Sequence, residues 1–153
     1  MRNESSWKPS KYVLKNGKLK ANLSTKEVNV ASRLVVNAIG AFYQKAVPAH
    51  VRGRLIDLGC GKVPLYAHYR SYAESVTCVD WVNSVHQNPY TDFEQDLNHP
   101  LKLENGSFDT IVLSDVLEHI RHPEKLVAEM YRILDGKGTL LMNVPFYYWL
   151  HEV

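Results

Sequence analysis

Short apolar runs recur along the second two-thirds of the chain, each bounded by turn-forming residues and separated by stretches of helical spacing. Residues 53–59 (GRLIDLG), 75–80 (SVTCVD), 108–115 (FDTIVLSD) and 138–145 (GTLLMNVP) are four to eight residues long and rich in Val, Ile, Leu and Thr. Runs of this length and composition predict buried strands. A shorter strand is expected within 90–97 (YTDFEQDL). Between them the period changes. Residues 24–48 place Ala31, Leu34, Val35, Ala38, Ile39 and Phe42 at helical spacing, behind a Ser24/Glu27 capping-box pattern and ahead of Pro48. Residues 64–73 read as a short helix with Pro64 in its first position, and residues 123–135 as a longer one with Leu126, Met130 and Ile133 on one stripe and Gly136 to close it.

Strands that alternate with helices pair in parallel. The expected fold is therefore α/β, a doubly wound and mainly parallel sheet. A sheet of this kind ordinarily continues past its fifth strand, and this chain stops at PFYYWLHEV. A fragment lacking its C-terminal part is expected.

Length and charge refine the picture. With 153 residues the chain can bury one useful core. No window carries the run of about 18 apolar residues that a membrane span needs, and the first 20 residues hold no apolar block of signal-peptide kind. A cytoplasmic protein is expected. The net charge of +2 is unevenly spread: residues 1–26 carry seven Lys and Arg against Glu4 alone, 7 − 1 = +6, which leaves −4 for the remainder. Residues 1–23 are read as a basic N-terminal arm, solvated and partly disordered, and residues 24–153 as the domain proper. Cys60 and Cys78 have neither disulfide-framework nor metal-ligand spacing, and reduced thiols are the simplest reading.

In an open parallel sheet, ligands bind at the carboxyl ends of the strands. The first long strand ends in Asp57, followed at once by Gly59, Cys60 and Gly61. Counted from Gly59, the slot for a third glycine of a dinucleotide fingerprint holds Pro64, which has no N–H for a phosphate. Such a turn suits a ligand with an amino-acid tail, whose ammonium can meet the turn's carbonyls and Asp57. The second strand ends in Asp80, nineteen residues after Gly61, where a carboxylate accepts from a ribose diol. Trp81 can lie against an adenine face. Asp96 can accept from an adenine amino group while the Leu97 N–H donates to the ring. Ser114 and Asp115 close the fourth strand. One acid at a strand end is commonly a solvated cap, but four such sites in this order point to one nucleoside-bearing ligand.

The segments LIDLGCG, VTCVDW, DFEQDL, FDTIVLSDVLEHI and EMYRILDGKGTLLMNVPF together resemble a class I S-adenosylmethionine-dependent methyltransferase of the type 11 kind, over roughly Arg54 to Phe146. The resemblance implies a Rossmann-like fold and S-adenosylmethionine as cofactor. It implies the methionine part at Asp57, Gly59 and Gly61, ribose at Asp80 and adenine at Asp96; Cys60, Trp81, Leu97 and Ser114 are the further candidate cofactor-binding positions. The sequence departs from the D-x-G-x-G-x-G pattern of many relatives at Val63. SWKPSKYV and VPFYYWLHEV are similar to a subgroup of bacterial members, some of which belong to polysaccharide or natural-product pathways, and a small-molecule or glycan acceptor methylated at oxygen or nitrogen is the expectation.

Transfer to a hydroxyl benefits from a general base, and His119 and His151 are the candidates. The aromatic run 146–149 can wall an acceptor site. Asp115, Glu118 and His119 approach the acid-x-x-Glu-His run with which some ubiquinone-pathway O-methyltransferases bind a divalent cation, but the first acid is one carbon shorter, and no metal site is expected. The alternative reading is a non-catalytic methyltransferase-like binding module. A nicotinamide oxidoreductase is disfavoured by Pro64. Nucleic acid is an unexpected partner, since N-V-P-F at 143–146 follows the fifth strand rather than the fourth.

Overall fold

A computed structural model describes residues 1–83 and 89–145. The chain opens with a hairpin, β1 (Tyr12–Lys15) against β2 (Lys18–Ala21), followed by helix α1 (Arg33–His50). Then come β3 (Arg54–Leu58), α2 (Tyr66–Tyr69), β4 (Ser75–Asp80), β5 (Phe93–Glu94), β6 (Phe108–Ser114), α3 (Pro123–Ile133) and β7 (Leu134–Asn143). The last five strands form one parallel sheet in the order β5-β4-β3-β6-β7. The strand order reverses beside β3, whose carboxyl end therefore opens a crevice between its neighbours. The expected doubly wound α/β architecture is the observed one.

The two sides of the sheet bury different sets. Leu55, Cys78, Val112 and Leu141 face α1, α2 and the hairpin, where Tyr43, Val47, Tyr66 and Tyr69 meet them. Ile56, Leu58, Val79, Ile111 and Leu113 face α3 through the predicted stripe of Leu126, Met130 and Ile133. Successive strand residues point to opposite faces, so a strand covered on both sides must be apolar nearly throughout. The buried part of β3, Leu55 to Leu58, meets that demand except at Asp57, and Arg54 is its exposed first residue.

The helices differ from their sequence reading at the ends. The capping box does not form: the Glu27 and Val28 N–H groups donate to the Ser24 carbonyl at 3.1 and 3.0 Å, and the Glu27 carboxylate pairs with Lys62. Asn29 instead caps a single 3-10 turn, accepting from the Ala31 N–H, and α1 starts only at Arg33. Pro48 lies inside the last turn of α1 rather than ending it. Pro64 sits in the turn before α2, not at its first position, and α2 is one turn long. α3 ends without Gly136, because Leu134 is already extended and pairs with Phe108; a bulge between Phe108 and Thr110 restores the register.

The largest departure is at the N-terminus. Residues 1–23, read as a solvated arm, are anchored on the body of the domain through a few side chains, while most of the others are exposed. Asn16 and Gly17 both hold positive φ, 52° and 71°, the geometry of a tight hairpin turn. Tyr12, Leu19 and Ala21 are buried against α1. Trp7 packs on Tyr66 with ring centroids 5.4 Å apart, and Arg70 pairs with Glu4. The charge excess remains on the outside: Lys15, Lys18 and Lys20 are exposed.

Tyr12 separates two contributions to this packing. Its ring is buried, yet its hydroxyl has no hydrogen-bond partner. Tyr12→Ala should cost about 3 kcal/mol by emptying a core site. Tyr12→Phe should be neutral or stabilising by up to about 1 kcal/mol, because an unsatisfied hydroxyl is removed. Urea unfolding of the two variants measures both.

Candidate functional site

The site grows from the turn after β3. The Gly59 and Cys60 N–H groups both donate to the Val79 carbonyl, at 2.8 and 3.0 Å, which folds the turn across the end of β4. Gly59 adopts φ +68°, and a Cβ there would stand 2.6 Å from Val116 Cγ2, so this position excludes side chains on two counts. The Gly61 N–H donates to Asp80 Oδ2 at 3.0 Å, and the Trp81 N–H to Asp80 Oδ1 at 2.8 Å. Asp80 thus braces the turn and lines the crevice with the same carboxylate.

Val63, where many relatives have glycine, holds φ +49°. A β-branched residue in the left-handed region is strained by roughly 1–3 kcal/mol. Two contacts hold it there: its side chain is fully buried, and its carbonyl accepts from Trp7 Nε1 at 3.1 Å. The packed N-terminal segment therefore fixes the shape of the turn.

Two adjoining cavities open at the carboxyl edge of the sheet. The larger, about 620 Å³, is lined by Gly59, Gly61, Asp80, Trp81, Asp96 and Leu97. Six of the nine residues expected to hold a cofactor thus meet around one space. It continues past Val35, Val36 and Ile39 of α1, and past His119 and Pro145. Volumes of 300–1,000 Å³ are typical of small-molecule and cofactor sites. Asp57, Cys60 and Ser114 line the smaller cavity, about 230 Å³, which shares Gly59 and Gly61 with the first. Cys60 contributes backbone rather than thiol: its side chain is buried, and its Sγ lies 3.7 Å from the Gly61 carbonyl.

The donors and acceptors suit a nucleoside. Asp96 Oδ1 accepts from the Asn98 backbone at 2.9 Å and from the Asn98 amide at 3.0 Å, which holds the carboxyl below its usual range and charged. The Leu97 N–H has no acceptor among the described residues. Trp81 is half exposed beside them. Carboxylate, free N–H and aromatic side chain line the same cavity.

Asp57 is different. It is buried, accepts from the Tyr69 hydroxyl at 2.7 Å, and no cation pairs with it among the described residues. Burial pushes its carboxyl up to about 7; the Tyr69 bond opposes that shift, and nearby Asp80 adds to it. A cationic ligand group at the turn would supply the charge that Asp57 lacks.

The carboxyl ends of β6 and β7 carry a network that sequence reasoning missed. The Tyr43 hydroxyl donates to Asn143 Oδ1 at 2.8 Å, the Asn143 amide donates to Asp115 Oδ1 at 2.6 Å, and Lys11 Nζ pairs with Asp115 Oδ2. Lys11 sits one residue before β1, more than a hundred positions from its partner, and only the hairpin signal at Asn16-Gly17 could have hinted at its place. His119 stands at the cavity with its imidazole about half exposed, 3.8 Å from Glu118. His151 and the aromatic run 146–149 lie outside the described residues. Among the described residues no three His, Cys, Asp or Glu side chains gather for a metal.

Comparison with known proteins gives the family and the fold. A family model described as "Methyltransferase domain" matches residues 56–142, more than half of the chain. The chain belongs to that methyltransferase-domain family. No curated protein matches it. Solved structures share the fold. A Haloferax volcanii protein complexed with the Trm112 methyltransferase activator is 22% identical at TM-score 0.55, over 65% of this chain and 49% of its own. An S-adenosylmethionine-dependent methyltransferase from Mesorhizobium loti is 24% identical at TM-score 0.52, over 68% and 54%. A Pyrococcus horikoshii protein is 23% identical at TM-score 0.52, over 74% and 57%. The chain spans about half the length of these relatives. Among the described residues no helix is long and apolar enough to cross a membrane.

Asp57 makes stability pH-dependent in a stated direction. Its folded carboxyl titrates near 7 against 3.8 for the free group, so the folded protein holds this proton more tightly. That contribution is complete below about pH 4 and is lost as pH rises through 7. Asp57→Asn should therefore stabilise the unliganded protein at pH 8 by on the order of 1–3 kcal/mol, a gain that vanishes toward pH 4. Urea midpoints across that range measure it.

Proposed function

We propose that this chain binds S-adenosylmethionine in the two joined cavities and takes part in methyl transfer to a small-molecule or glycan acceptor, at oxygen or nitrogen. The observation that carries the reading is the convergence of the Gly59–Gly61 turn, Asp80, Asp96 and Leu97 on one cavity at the strand-order reversal. The residues fit the ligand's parts. Asp80 accepts from the ribose diol, Asp96 and the Leu97 N–H meet the adenine edge, and Trp81 covers its face. The turn carbonyls and Asp57 receive the α-ammonium.

When bound, the sulfonium would supply an activated methyl group: the acceptor would bond to its carbon in line as the carbon–sulfur bond breaks, the pair leaving with the sulfur. What remains for the protein is placement, exclusion of water and disposal of the acceptor's proton. Val35, Val36 and Ile39 give the cavity an apolar wall opposite the turn. His119, at the cavity and half exposed, is the general base we assign; His151 is a second candidate.

Calorimetry tests the cofactor assignment. S-adenosylmethionine should bind, and NAD should not bind measurably. Asp80→Ala should weaken S-adenosylmethionine at least tenfold, about 1.4 kcal/mol or more, and Asp80→Asn should recover part of the loss by still accepting from Gly61. Unchanged affinity in Asp80→Ala, or equal affinity for NAD, would refute the reading.

A further inference from the structure

The smaller cavity holds groups that the assignments above do not use. Ser10 is 5% exposed, and its Oγ has no hydrogen-bond partner. It lines this cavity together with Lys11 and the Gly59–Gly61 turn. Leaving a buried hydroxyl unmatched costs free energy, and an orphan donor on a residue that lines a cavity offers a hydrogen bond to a ligand that reaches it by a turn of its rotor. Lys11 has three ammonium protons, of which Asp115 engages one. Lys26 and Lys62 also line the cavity. Lys62 is matched by Glu27, whereas Lys26 has no carboxylate partner among the described residues.

The chamber thus has a buried hydroxyl donor and spare cationic donors in the same lining as the carboxylate of Asp57. An amino-acid tail presents the complementary pair, an anionic and a cationic end on one carbon. We infer that Ser10 and Lys11, contributed by the N-terminal segment, bind the α-carboxylate of the cofactor's methionine tail. Lys11 supplies the charge and remains bridged to Asp115, while Ser10 Oγ donates the second bond. The recognition element is built by the segment that the charge pattern alone marks as a solvated arm. This inference rests on the S-adenosylmethionine reading.

The test compares S-adenosylmethionine with its decarboxylated form, which keeps adenosine, sulfonium and amine, by calorimetry on the full chain. The wild-type protein should prefer the carboxylated ligand at least tenfold. Lys11→Met should weaken S-adenosylmethionine about tenfold or more and leave the decarboxylated ligand unchanged or tighter, so that the preference collapses. Lys11→Arg should keep most of it. Ser10→Ala, which removes only an orphan hydroxyl and so leaves the fold intact, should lower the preference severalfold. Equal weakening of both ligands in Lys11→Met would give Lys11 a purely structural role and overturn the inference, as would an unchanged preference in both variants. If the wild type binds neither ligand, the cofactor reading falls and this inference falls with it. If it binds both equally, only the carboxylate assignment falls.

Discussion

Two backbone N–H groups on one carbonyl organise this molecule. Gly59 and Cys60 donate together to Val79, and this fork fastens the turn after β3 onto the end of β4. β3 and β4 are neighbours in parallel register, with Leu58 level with Val79, so the two strands finish side by side. The fork converts that adjacency into a site. It forces the next N–H, that of Gly61, onto the Asp80 carboxylate, and it holds the turn close enough to Val116 that only glycine fits at position 59. Were the turn to swing away, the acid and the backbone bend would no longer border the same space.

The N-terminal segment closes the opposite side. Trp7 holds the Val63 carbonyl, the hairpin packs on α1, and Lys11 reaches the acid that follows β6. Through Asp115 and Asn143 the same ammonium connects to the Tyr43 hydroxyl on α1. A chain of charge-assisted and neutral hydrogen bonds thus ties the first strand pair, the first long helix and the last two strands together where solvent is partly excluded, and there a satisfied network rigidifies its members. The strained backbone at Val63 persists because several independent contacts determine it.

Much of this was legible in the sequence because the signals are local. Apolar runs gave the sheet strands, and the acid or glycine placed directly after each run marked the carboxyl edge. The stripe of Leu126, Met130 and Ile133 named the buried face of α3. What escaped depends on partners far along the chain. Glu27 looked like half of a capping box, yet its carboxylate is taken by Lys62, thirty-five residues on, and the helix starts later. The lysine-rich beginning read as a solvated arm because charge was weighed and alternation was not. Tyr12, Leu19 and Ala21 are the inward positions of two strands joined by Asn16-Gly17, a hairpin signal that was available. Ser10 and Lys11 are ordinary residues until Asp115 and the turn are brought against them.

The long reach of the Tyr43–Asn143 and Lys11–Asp115 contacts bears on how the molecule comes to be. Closing so wide a span costs chain entropy before any contact repays it. Lys11 and Tyr43 are therefore made long before Asp115 and Asn143, the polar partners that hold them. A nascent chain halted before β7 would lack the Asn143 anchor of the network that joins the N-terminal segment to the sheet.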